Sequence, residues 1–491
     1  MQGNRFMRDD EYLGLDGLAL AGLLRSGDVS SSELMAIAIG LARTRGAALN
    51  AIRYERYDES QALADDWRPR GAFGGIPFLL KDSGLASLRF PSSNGSRLFA
   101  DARAAQDATL IGRFDQLGFI PFARTTVPEL CMAPTTEAVQ NGGATLNPWD
   151  RTRSPGGSSG GAAAAVAAGI VPIAHGSDGG GSIRIPAACC GLFGLKPTRG
   201  LVPMGPIKGE GWGGLACDGV LSRTVRDSAA AMDGIGGWED GSPYAAPTGA
   251  GTYLNAITER PSRRMRVLVW RTAFENMPVA AECLAAVEKA AALCRALGHE
   301  VIDASPPPLD YRAFVQAHIT VLATNIVLAS NARLKVLGRA FQDGDLEPAM
   351  ADGYRVGQTL GAGDYAAAIQ QFHTVGRVMQ GALSGADLVL TPTLTQLPAE
   401  LGWLQMSGTL QSFRERVATY ANFLAVINAS GQPAANVPLD CTPSGLPVGI
   451  QLIGRFGRDD QVMQMAAELE EAAPWIGRRP AFDAARPAIA A

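Results

Sequence analysis

Apolar and polar positions along this chain recur in two periods, one of helices and one of short strands. Residues 12 to 45 carry helical spacing, and Ser30 followed by Glu33 gives a capping-box signal ahead of LMAIAIGLA. Residues 50–54 predict a first strand. The short apolar run from 75 to 80 ends at Lys81, which places that lysine at the C-terminal end of a strand. Residues 108–118 predict a helix and 119–123 the next strand. The small apolar tract from 161 to 174 predicts a buried helix running into a buried strand. The Gly- and Pro-rich stretch 191–214 reads as loops and a pocket wall. Strands are expected at 265–270, 299–302 and 387–393, with a helix at 279–297 closed by Gly298. Residues 311–383 are mostly helical in pattern. Residues 428–453 predict strands with a hairpin, 459–471 a helix, and 484–491 a frayed tail.

This alternation of strands and helices predicts an α/β fold, a large twisted mixed β-sheet covered by helices on both faces. One domain over 1–491 is expected. Its catalytic motifs fall within 60–230, and the helical stretch 305–385 lines or caps a substrate site. Hydrophobic residues make up 47% and charged residues 18% of the 491, enough apolar side chain for a large core and against long disorder. Net charge is −4 with no basic run, which argues against a nucleic-acid partner. The first residues, MQGNRFMRDDEY, are charged and hold no apolar leader. No tract reads as membrane-spanning, so a cytoplasmic protein is expected. The seven cysteines include no CxxC, and the four histidines have no metal-ligand spacing, so no metal and no cofactor are expected.

The chemistry concentrates in three places. Lys81 stands in GGIPFLLKDSG, Ser158 and Ser159 in GGSSGG, and Ser182 in SDGGGSIR. Consecutive glycines at 179, 180 and 181 let backbone N–H groups converge without Cβ obstruction, which suits an oxyanion hole made from Gly179, Gly180 and Gly181. Taken alone, each motif has a plainer reading. The second glycine cluster is a turn or a phosphate loop, the first is a flexible linker, and the lysine snorkels at a strand end.

Together these motifs resemble the amidase signature family, over most of the chain. The resemblance implies an amide hydrolase in which Ser182 is the acylated nucleophile. Ser158 then follows a cis peptide bond and relays protons, and Lys81 is the general base. Burial behind Ile76-Pro-Phe-Leu-Leu80 suits that role, because desolvation lowers a lysine pKa from near 10.4. Ser159 is the alternative relay. Asp178 and Arg184 are expected as a buried ionic support around the nucleophile, and Ser177 as a partner near Lys81. Asn141, Asn147-Pro148 and the C-terminal GQPAANVP and GLPVGIQLIGRFGRDDQ match the family as scaffold.

Other readings fit less well. GxSxG at 156–160 matches a nucleophile elbow, but polar, proline-bearing residues precede it where that fold needs an apolar strand. No Gly-Lys-Ser/Thr follows the glycines, as a P-loop requires. Within the family, the glutaminase-type subunit of a tRNA-dependent amidotransferase commonly carries Gln where this chain has Ile185, which favours a stand-alone amidase. The C-terminal run is similar to hydrolases that open 6-aminohexanoate cyclic dimer. Met132, Ile185 and Trp212 are the expected pocket residues. Candidate substrates are apolar acyl or aryl amides, cyclic oligoamides, carbamates and esters. The partner is a small amide, and a homodimer is left open.

Overall fold

The run ahead of Lys81 is a strand buried at every position. In the computed structural model, which describes residues 7–245, 251–259 and 264–482, it spans Ile76–Lys81 as β2. It lies parallel to β3 (Phe119–Thr125), with Lys81 opposite Thr125, and β1 (Ile52–Arg53) pairs with β3 from the other side. Phe78 and Phe73 each stack on Phe119, with ring centroids 4.2 and 4.4 Å apart. Such pairs add about 0.5–1.5 kcal/mol beyond burial, so the strand that carries the lysine is firmly seated.

The larger sheet has eight strands: β4 (Ile173–Asp178), β5 (Phe193–Lys196), β6 (Cys217–Ser222), β7 (Arg266–Trp270), β8 (Glu300–Ala304), β9 (Leu388–Pro392), β10 (Ala434–Cys441) and β11 (Pro447–Gly454). Their order is β4-β6-β5-β10-β11-β9-β7-β8. Pairing is antiparallel from β4 through to β9 and parallel from β9 to β8, so the sheet is mixed. Successive side chains alternate faces. Asn436 and Gln451 point to the side of the helix Arg184–Cys190, where Gln451 meets Arg184 and Asn436 bonds the Leu192 carbonyl. Ala435, Val437, Ile450 and Leu452 alternate to the opposite face, and the helices Ala281–Ala296 and Asp459–Ala472 pack on these two strands.

Local signals worked as their chemistry predicts, with instructive exceptions. Ser30 Oγ accepts the Glu33 N–H at 3.1 Å and starts the helix Ser31–Leu41. Glu33 does not complete the capping box, because its carboxylate takes the Met7 N–H instead. The stretch expected as loops from 191 to 214 contains β5, a four-residue strand in mid-sheet. Its sequence, FGLK, is too short and too mixed to carry a period. β6 and the helix Val225–Ile235 also lie where no element was expected. Asn428 belongs to the short helix Ala425–Ser430 rather than to a strand.

Residues 311–383 fold as three helices, Tyr311–Leu337, Pro348–Gly357 and Ala362–Ala382. The first, Tyr311–Leu337, is the helix on which the expectation of no spanning segment turns. By length and composition alone it is apolar enough to cross a membrane, and half of its most apolar stretch is buried within this fold. The expected frayed tail, 484–491, and the first six residues of the charged N-terminus lie outside the described residues.

Candidate active site

Lys81 ends β2 fully buried, and three oxygens surround its ammonium group. Lys81 Nζ lies 2.7 Å from Ser158 Oγ, 2.9 Å from Ser177 Oγ and 3.1 Å from the Ser177 carbonyl. Burial pushes the lysine pKa below its ordinary value, and Cys131, Asp218 and Asp178 nearby pull the other way. The lysine backbone is held as well. Its N–H donates to His175 Nδ1 at 3.2 Å, which leaves the ring proton on Nε2, 3.1 Å from Asp218 Oδ1. Burial first, against the pull of Asp218, keeps His175 below its usual pKa.

Ser158 follows a cis peptide bond from Gly157, as the family resemblance implies. The two serines of GGSSGG are divided in their contacts. Ser158 points to Lys81, whereas Ser159 Oγ accepts the Ser177 N–H and donates to the Ser177 carbonyl, each at 3.3 Å. Ser159 N–H also donates to the Ser182 carbonyl at 3.2 Å, which ties the two glycine loops together.

Ser182 sits at the floor of a cleft, 8% exposed, between β4 and the helix Arg184–Cys190. Asp178 organises that turn. Its carboxylate accepts the N–H groups of Gly181 at 2.7 Å and Ile183 at 3.2 Å, and both guanidinium contacts from Arg184 at 3.0 Å. Asn428 Nδ2 adds a further bond at 2.9 Å. Burial alone would raise the carboxyl pKa. The charge and hydrogen bonds of Arg184, with Asn428, outweigh it and hold Asp178 well below the carboxylate range. Arg184 in turn donates to Gln451 Oε1 at 2.8 Å and to Asn428 Oδ1 at 2.6 Å. The expected buried ionic support is therefore present, with two amide side chains added to it, Gln451 from a run expected as scaffold and Asn428 from a region expected as strand.

The same bonds correct the expected oxyanion donors. Gly181 N–H is committed to Asp178, so it is not free to meet a developing charge. The N–H groups of Gly179, Gly180 and Ser182 have no acceptor among the described residues. Gly181 contributes differently. Its φ of +119° is a glycine conformation, and a Cβ there would press within 2.7 Å of Leu424 and 2.9 Å of Ile185. Gly179 lies directly under the Trp212 ring, where a Cβ would come to 2.5 Å.

The three expected pocket residues converge. Met132, Ile185 and Trp212 stand with Ser182 around one small chamber. Met132 and Trp212 also border the main cleft, of about 380 Å³, with Leu85, Leu110, Leu130 and Leu328. Asn141 and Asn147 bond only backbone groups: their amides donate to the carbonyls of Val127, Ser154 and Cys189, and Asn147 Oδ1 accepts the Trp149 N–H, so they shape the approach to GGSSGG. Sequence reasoning missed His175, Asp218 and Cys131 at the lysine, and His318 and Arg414 in the chamber. These residues are scattered from 131 to 414, and none sits in a motif. Only the fold joins them.

The fold thus sets a buried lysine against Ser158, with Ser158 and Ser182 lining one cleft. Comparison with known proteins gives the family. The Amidase family model matches residues 40–463. The 6-aminohexanoate-cyclic-dimer hydrolase of Paenarthrobacter ureafaciens is 34% identical over 477 residues, covering 95% of this chain and 96% of that protein. A solved structure of a 6-aminohexanoate cyclic dimer hydrolase complexed with substrate superposes with a TM-score of 0.90, at 33% identity, over 95% of this chain and 99% of its own. A bacterial aryl acylamidase of the amidase signature enzymes gives 0.86, at 28% identity, over 96% and 99%. The chain belongs to the amidase family. It is an amidase, a hydrolase acting on amides.

Proposed function

We propose a stand-alone amidase that cleaves carboxamide C–N bonds through an acyl-enzyme on Ser182. The 2.7 Å contact between Lys81 Nζ and Ser158 Oγ carries this reading. Neutral Lys81 accepts a proton from Ser158, which takes one from Ser182. Ser182 Oγ then attacks the carbonyl, and the oxyanion is met by the unengaged N–H groups of Gly179, Gly180 and Ser182. Ser158 returns a proton to the departing nitrogen, because an unprotonated amide anion leaves poorly. Water enters through the same relay and releases the acid.

The proposed substrates are apolar acyl or aryl amides, linear or cyclic, with esters and carbamates as better-leaving analogues. A cleft of about 380 Å³ with a largely aliphatic wall supports this range. The names of the relatives support it too, since they are hydrolases of a cyclic amide and of aryl acylamides. Ile185, 2% exposed beside Ser182, favours an independent amidase over an amidotransferase subunit. The test is a hydrolysis panel of anilides from acetyl to octanoyl, an aryl carbamate and a cyclic oligoamide, run with wild type and S182A. Turnover that disappears in S182A supports the reading. Turnover retained in purified S182A overturns it.

A further inference from the structure

The chamber beside Ser182 contains a cation with no counter-charge. Its space is about 20 Å³, bounded by Gly180, Ile185, Leu322 and Val417, and its two polar walls are His318 and Arg414. Arg414 Nη1 donates to the Met132 carbonyl at 3.2 Å, and Nη2 approaches His318 Nδ1 at 3.5 Å. Among the described residues no carboxylate pairs with it. Arg184, which is fully buried, is by contrast saturated by Asp178, Gln451 and Asn428. Arg414 is half-buried, and a guanidinium partly withdrawn from water at a pocket wall gains from an anion that enters the pocket. Burial brings its pKa down to about 10, so it stays protonated at neutral pH.

His318 faces the same space. It is 4% exposed, and burial followed by the Arg414 charge holds it neutral, well below its usual pKa. With Nδ1 turned to Arg414, the ring proton sits on Nε2. That atom has no acceptor among the described residues and lies 4.0 Å from where a Cβ on Gly180 would stand. Two donors, one of them charged, therefore converge on the flank of the Gly180 turn.

We propose that this chamber receives a carboxylate borne on the acyl part of the substrate, which narrows the proposed acyl range to short chains that end in a carboxylate, the monoamides of short dicarboxylic acids. The inference rests on the acyl-enzyme reading of Ser182. Ser158, which protonates the departing nitrogen in that reading, borders the main cleft and not the chamber. The amine thus leaves into the cleft, and the acyl chain points to Arg414. A carboxylate presents two oxygens to the guanidinium fork and to the imidazole N–H. Ser182 lines the same space, so the chain between the scissile carbonyl and the carboxylate is short.

The test compares p-nitroanilides of succinic, glutaric and adipic acids with their neutral butanoyl, pentanoyl and hexanoyl counterparts, in wild type, R414M and R414K. The expected result is that at least one anionic anilide exceeds its neutral counterpart in kcat/KM by about tenfold or more. R414M erases that preference, losing at least about tenfold more on the anionic than on the neutral series, and R414K retains part of it. Faster hydrolysis of the neutral member at every length overturns the proposal, as does an equal loss on both series in R414M. Calorimetry with succinate, glutarate and adipate on S182A separates this from the acyl-enzyme reading. Diacid binding lost in S182A/R414M supports the chamber even if no anilide is turned over. No diacid binding together with no anionic preference overturns it.

Discussion

Lys81 Nζ and Ser158 Oγ meet at 2.7 Å with neither residue exposed to solvent. A lysine so placed has its proton acceptor role tied to pH. Charged, it holds the proton that Ser158 must lose. Because burial lowers its pKa, the neutral base forms at lower pH than for a lysine in water. The expected kcat/KM rises with pH, with a midpoint below 10.5. K81A should lower kcat/KM by about 10³-fold or more and remove that limb. A pH–rate profile of both proteins checks this, and an unchanged limb in K81A refutes it.

The division between adjacent serines gives a second expectation. S158A removes the contact to Lys81 and should reduce kcat by roughly 10²–10⁴-fold. S159A loses only bonds to the Ser177 backbone, so its main effect is on stability, about 1 kcal/mol, with a much smaller loss of rate. Equal losses of kcat in the two variants would contradict the relay through Ser158.

Removing one member of the Asp178–Arg184 pair strands a buried charge. D178N and R184M should each cost about 3–5 kcal/mol in urea unfolding. The double variant should cost less than the two combined, since both remove one interaction. Strict additivity would show that the two act independently.

Much of this was legible in the sequence, and the limits are physical. Lys81 was placed because an apolar run ending in a lysine must bury its stem, and β2 does so at every residue. The glycine clusters drew attention to Ser158 and Ser182, and the resemblance to the amidase signature family gave them their expected roles. Which N–H groups stay free was not legible, since that depends on how the Asp178 carboxylate turns. β5 was missed because four residues in mid-sheet show no period. Arg414 and His318 were missed because 96 residues separate them and each, alone, looks like an ordinary helix residue.

Glu129 provides a prediction about stability. Burial raises its pKa to about 8, although Ser96 Oγ and the Glu347 N–H donate to it. The folded state therefore keeps a proton that the unfolded state releases above about 4.5. More protons are bound when folded, so stability falls as pH rises from near 4.5 through about 8. E129Q should lose this dependence and melt a few degrees above wild type at pH 8 relative to pH 5. Parallel melting curves for the two proteins across that range would refute it.

Asn428 and Gln451, far along the chain from Ser182, grip the Asp178–Arg184 pair that shapes the turn holding Ser182. The chemistry and its alignment are thus written in separate halves of the polypeptide. A fragment ending after residue 235 would carry Lys81, Ser158 and Ser182 and still lack the far end of the brace. The brace around Ser182 closes only when the two halves of the chain meet.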